Sequence, residues 1–145
     1  MGERSERIAE RLSEWLTRME IDADRTNEGI TLLKFGSTAV MISVFEDEGH
    51  PFLRLAAPVL AGVTPKMELL TRLLRLNAEV LVGSFVLFDD HTLAYTTTLL
   101  ADELDYDEFR WALLYVARVG DDHDEELQAL AGGLRVEDLL EAEGR

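Results

Sequence analysis

Leu73-Leu74-Arg75-Leu76-Asn77, followed by Gly83-Ser84-Phe85-Val86-Leu87-Phe88, Asp89-Asp90-His91 and Thr92-Leu93-Ala94-Tyr95-Thr96-Thr97-Thr98-Leu99, is the stretch that decides the fold. Its leucine-rich opening closes a helix at Leu76-Asn77. The two segments rich in β-branched and aromatic residues, separated by turn formers, read as a hairpin. Asp105 with Glu108 three residues later then has the form of a capping box, opening a long helix that continues to about Ala131. Gly132-Gly133 stops that helix, and Val136–Glu141 is read as a last helical turn.

Toward the amino terminus, Ile8, Leu12, Trp15, Leu16 and Met19 recur at helical spacing between Arg4 and Met19, with charge on the opposite side. This helix is expected to lie on a sheet. Asp22 to Gly29 reads as a polar connector. Ile30–Phe35, a Gly36-Ser37 turn, Thr38–Phe45, an Asp47–Pro51 turn and Phe52–Leu60 read as three strands with two tight turns. Pro58 suggests a sheet edge or a bulge near the end of the third. Thr64-Pro65 reads as the start of the second helix, with Thr64 capping and Pro65 at the first helical position. The order is α-β-β-β-α-β-β-α. Short turns force antiparallel pairing, so the class is α+β, an antiparallel sheet with helices packed on it. Residues 1–145 are expected to form one domain, with a short helical tail over about 134–145.

The formal net charge is −15, and twelve of the 14 basic residues are Arg. Such a field repels phosphate backbones and anionic membranes, and no basic cluster offers a local exception. Neither a nucleic-acid nor a membrane partner is expected; a basic or neutral amphipathic protein segment is electrostatically easier. There are no cysteines, hence no disulfide framework and no thiolate chemistry. With no apolar signal core and no run of membrane-spanning length, the expected compartment is the cytoplasm.

Two helices carry more apolar surface than one sheet face can cover. On the second, Met67, Leu69, Leu70, Leu73, Leu74, Leu76 and Val80 span an arc of roughly 200° at 100° per residue, about twice a core-facing stripe. Either this helix is sandwiched inside the molecule or it meets another chain. On the third helix Phe109, Ala112, Leu113, Val116, Val119, Leu127 and Leu130 project toward the core, and Trp111, Leu114, Tyr115 and Arg118 project away. Aromatic and Arg residues recur at binding hot spots. Trp111, Leu114, Tyr115 and Arg118, with Leu69, Leu73 and Leu76, are therefore the candidate partner-binding residues, unless the first helix covers the former group. On the last strand Leu93, Tyr95 and Leu99 face one way, and Thr92, Ala94, Thr96 and Thr98 the other.

Catalytic signatures are missing: there is no Gly-rich phosphate loop, H-E-x-x-H, G-x-S-x-G or thiol. The acidic residues from Asp102 to Glu108 suit the positive end of a helix, and as a calcium loop they fail, with Arg110 where Gly is needed. Asp121-Asp122-His123-Asp124-Glu125-Glu126 has zinc-capable side chains, but on a helix they splay around the axis and His123 projects toward the core. No cofactor, metal or catalytic residue is assigned. Paired carboxylates have no local spacing rule, so a carboxylate or metal-dependent enzyme stays as a third reading.

The segment Leu73–Leu130 resembles the YbjN-like branch of the type III secretion chaperone-like domains. The resemblance rests on Leu73–Asn77, Gly83–Leu87, Asp89-Asp90, Leu113-Leu114-Tyr115-Val116-Ala117, Asp121-Asp122 and Glu126-Leu127. Asp90-His91 stands where that turn often carries Asp-Gly, which argues against a tight primed turn. The resemblance implies a small, non-enzymatic, often dimeric module that holds a peptide segment of a partner. The expected function is thus a homodimeric, cytoplasmic, protein- or peptide-binding chaperone-like or adaptor domain; the alternative is a regulatory protein in a signalling or stress pathway without chaperone activity.

Overall fold

The computed structural model describes residues 2–26, 29–35, 38–136 and 138–139. Its elements are α1 (Glu3–Arg18), β1 (Ala23–Arg25), β2 (Thr31–Phe35), β3 (Thr38–Asp47), β4 (His50–Ala61), α2 (Met67–Glu79), β5 (Ser84–Leu87), β6 (Leu93–Leu100), α3 (Tyr106–Ala131) and β7 (Leu134–Arg135). The strands form one sheet in the order β1-β2-β3-β4-β6-β5, with β7 pairing the end of β4. Each of these pairings is antiparallel, as the short turns require. The fold is α+β.

Periodicity explains the helices and their burial. Ile8, Leu12, Trp15 and Leu16 of α1 are buried, and Trp15 stacks on Phe109 of α3 with centroids 5.2 Å apart. Leu33, Val40, Ile42, Leu53 and Leu55 supply the sheet side of this core. Asp105 caps α3 in a full capping box, its carboxylate accepting from the Glu108 N–H while Glu108 accepts from the Asp105 N–H. Gly132 at φ +70° ends that helix. The α1 helix ends with Glu20 at φ +57°; the Glu20 and Ile21 amides bond to Thr17 and Leu16, which turns the chain into β1.

The turns follow the residues available. Glu48 and Gly49 both have positive φ, as a two-residue primed turn needs, and His50 and Pro51 belong to β4 rather than to the turn. At Asp89-Asp90-His91 the loop is longer: the His91 amide bonds to the Phe88 carbonyl and His91 takes the left-handed conformation. Pro58 lies in a central strand beside a bulge between Pro58 and Leu60, not at an edge. Pairing of β4 with β3 ends at Ala56, so the proline removes no bond on that side.

The second helix begins later than Thr64-Pro65 suggests. Its N-cap is Lys66, with no side-chain cap; ahead of it the Thr64 amide is tied to the Ala131 carbonyl and the Val63 amide to the His91 carbonyl. Two strands carry no apolar alternation to announce them: β1 arises inside the polar connector, and β7 has only two residues. The tail expected to be helical over about 134–145 starts instead as a strand, because Leu134 and Arg135 pair with Ala61 and Leu60; residues 136, 138 and 139 are helical, and the rest of the tail and the Gly36-Ser37 turn lie outside the described residues.

Candidate functional site

Surfaces on α2 and α3 come first, because the apolar excess lies there. The wide arc of α2 divides in two. Leu69, Leu73 and Leu76 sit in the core, whereas Met67 (77% exposed), Leu70 and Leu74 (72%) face solvent, and Leu81 just beyond the helix is exposed as well. The candidate residues Leu69, Leu73 and Leu76 therefore support this surface from beneath, and the outward half of the arc forms it. On α3, Trp111 is 47% exposed and Leu114 is also open, while Tyr115 is buried behind them. The Trp111 and Tyr115 rings stack at 4.9 Å, and the Arg118 guanidinium lies 5.5 Å from the Tyr115 centroid. The Tyr115 hydroxyl accepts the Leu81 N–H at 2.8 Å, which joins the α3 stack to the chain just beyond α2. The first helix does not cover Trp111.

The two edges of the sheet differ. At β5, the outward peptide group of Phe85 is taken by a side chain: Asn77 Oδ1 accepts its N–H at 2.7 Å and Asn77 Nδ2 donates to its carbonyl at 3.2 Å. Asn77 thus imitates a neighbouring strand and leaves Leu87 as the open position on this four-residue edge. At β1, Thr26 donates to the Ile30 carbonyl at 2.8 Å. Alternation of the antiparallel ladder then turns the peptide groups of Ala23 and Arg25 away from β2. All three β1 residues are exposed. Beside this edge a cleft of about 350 Å³ runs between α1 and the first strands, floored by Leu12, Leu16, Ile21 and Val44 and flanked by Ser13 and Arg25. An open edge beside a cleft with a leucine floor and polar walls can accept an added strand, main chain on the edge and alternate side chains in the cleft.

Three basic residues of α1, Arg4, Arg11 and Arg18, point elsewhere. Arg4 pairs with Asp102 at 3.6 Å, Arg11 donates to the Asp102 carbonyl, and Arg18 lies 4.0 Å from the Tyr106 centroid, so these bind α1 to the entry of α3. Among acids, Glu46 is held below the usual carboxylate range, chiefly by the Ser5 hydroxyl that donates to it at 2.6 Å. Burial raises the Asp124 carboxyl, and burial likewise raises the Tyr95 phenol, which donates to the Val82 carbonyl.

The acidic run on α3 is dispersed. Glu126 accepts from Arg72 at 2.6 Å, Glu125 pairs with Arg135 at 3.4 Å, and Asp124 is buried. The His123 ring sits half-buried against Phe85, with Nδ1 2.9 Å from the Val119 carbonyl. Among the described residues no group of three or more His, Asp or Glu is arranged to hold a metal ion. None of their helices is long and apolar enough to cross a membrane.

In the sequence Asn77 reads only as the close of the second helix, and the residues of β1 only as part of a polar connector. An Asn near a helix end reads as a cap, and three exposed residues give no periodic signal. The outward leucines were already inside the α2 arc, but a helical wheel does not say which half of an arc meets the molecule's own core.

Residues 3–139 match the family model TY-Chap1, described as T3SS (YopN, CesT) and YbjN peptide-binding chaperone 1, and the chain belongs to that family. Solved structures share the fold. A chain of the ExsC–ExsE complex is 18% identical over 85% of this chain and 95% of that one, with a TM-score of 0.67. YbjN from E. coli is 16% identical over 81% and 92%, with a TM-score of 0.62. A chain of the HopA1–SchA chaperone–effector complex is 14% identical over 77% and 88%, with a TM-score of 0.59. No curated protein sequence matches the chain.

Proposed function

We propose that this chain acts in the cytoplasm, as one domain, as a homodimeric, non-enzymatic chaperone-like protein that holds an extended segment of a client. The observation that carries the reading is the open β1 edge beside the α1 cleft, set against a β5 edge that Asn77 occupies. The client's main chain would bond to the peptide groups of Ala23 and Arg25, and its side chains would fill the space over Leu12 and Leu16. The dimer contact falls to the outward strip of Met67, Leu70, Leu74 and Leu81, where burial of exposed leucines drives association. The family's description as peptide-binding chaperones and the chaperone–effector complex among the structural neighbours support the client class.

The test has two parts. Light scattering at micromolar concentration is expected to give a dimer that Leu74→Glu converts to a monomer. The chain is expected to suppress aggregation of a chemically unfolded reference protein, and Ser13→Trp, which fills the mouth of the cleft, to remove that effect. A native chain that leaves aggregation unchanged would sink the client reading.

A second reading is a regulator in a signalling or stress pathway that grips one folded partner and has no chaperone activity. The stack of Trp111, Tyr115 and Arg118 beside Leu114 favours it, because these residue types dominate binding hot spots. A pull-down that returns a single folded partner, lost in Trp111→Ala, would support it.

A further inference from the structure

The sheet face opposite the helices has a character of its own. Register places Phe45, Phe52 and Leu100 in one cross-strand row and Ser43, Arg54 and Thr98 in the next. The Phe45 and Phe52 rings stack at 5.6 Å, and Leu100 is 68% exposed. Arg54 sits over this floor, its Cζ 4.8 Å from the Phe45 centroid and its Nε donating to Thr98 Oγ1 at 3.0 Å. Among the described residues its two Nη nitrogens meet no acceptor. In a chain with 29 Asp and Glu residues, an arginine held in place without a carboxylate is a local reversal of charge.

The chemistry specifies the occupant. A guanidinium fixed by stacking and one hydrogen bond presents its remaining N–H groups as a fork, which fits a carboxylate in two parallel bonds. The apolar row beside it requires apolar side chains next to that carboxylate. A sheet face, unlike a sheet edge, offers no main-chain partners. An extended segment laid here would leave its peptide groups unpaired, whereas a helix satisfies its own. The chain's net charge of −15 repels a polyanion such as nucleic acid or an acidic lipid surface. A single carboxylate within an apolar stripe escapes most of that repulsion.

We propose that this face docks an amphipathic helix of a partner protein, with one Asp or Glu on Arg54 and apolar side chains on Phe45, Phe52 and Leu100. The site is separate from the β1 edge and from the α2 strip. Two synthetic amphipathic helical peptides, identical except for Glu or Gln at the centre of a leucine face, test it by fluorescence anisotropy against the full chain. The Glu peptide is expected to bind about tenfold more tightly than its Gln twin, the size of one charge-assisted hydrogen-bond pair. Arg54→Met is expected to abolish the preference, and Leu100→Asp to weaken both peptides; thermal melts establish that both variants fold. Equal affinity of the two peptides, no binding by either, or an undiminished preference in Arg54→Met would overturn the proposal. So would a Leu100→Asp variant that turns a dimer into a monomer, since the face would then belong to a second copy of this chain.

Discussion

The β5 and β1 edges of the sheet meet the same physical problem and meet it differently. An unpaired strand edge exposes peptide groups that recruit other strands, so most edges are blunted. At β5 the blunting comes from within: the Asn77 amide supplies both halves of the missing ladder contact to Phe85. At β1 no described residue does so, and the peptide groups of Ala23 and Arg25 stand open next to a cleft with a leucine floor and polar walls. A sheet whose β5 edge is latched at Phe85 and whose β1 edge is open favours strand addition at β1. Such a preference suits a protein that holds extended segments without polymerising through its own strands.

Four substitutions probe that contrast, in descending order of their effect on stability. Gly83, at φ +86°, leads into β5, and a Cβ there would stand 2.3 Å from the Thr96 carbonyl oxygen. Gly83→Ala is therefore expected to cost about 3 kcal/mol in denaturant unfolding, because backbone strain and overlap both oppose it. Asn77→Ala leaves the Phe85 N–H and carbonyl without their partner and is expected to cost about 2 kcal/mol. It also opens the β5 edge, so sedimentation is expected to reveal self-association beyond the native state. A result near zero on both measures would mean that the latch contributes nothing.

On the other edge the effects on stability are smaller and those on binding larger. Ala23→Pro removes an outward N–H at the first residue of β1 without touching the β2 ladder, and is expected to cost about 1 kcal/mol or less. Client retention in the aggregation assay is expected to fall about tenfold, near the value of one hydrogen bond. Ser13→Trp, on an exposed helix position, is expected to change stability by no more than about 0.5 kcal/mol while filling the cleft. Retention that survives both variants would place the client elsewhere.

Much of this frame is legible in the residues. The Asp105–Glu108 box, the Gly132 stop, the β5–β6 hairpin and the core stripe of α1 have local causes, and local causes can be read in order along a chain. What escapes has long-range causes. Thr64 has the chemistry of a cap, yet its amide is tied to Ala131 far along the chain and α2 starts two residues past the Thr-Pro signal. Leu69 and Leu74 are alike as residues; only the position of α3 and β5 makes one core and the other surface. The strand β1 exists because β2 offers it a ladder, not because its own residues favour one. The open edge and its cleft, the part closest to function, belong to this second kind.

Residue-resolved hydrogen exchange, on the chain alone and with a chemically unfolded reference protein, tests the proposed asymmetry most directly. In the free chain the Phe85 amide is expected to exchange slowly, and those of Ala23 and Arg25 near unprotected rates. On addition of the unfolded protein, Ala23 and Arg25 are expected to gain protection while Phe85 stays as it was. Protection appearing along β5 instead, or no change at Ala23 and Arg25 while aggregation is suppressed, would contradict strand addition at β1.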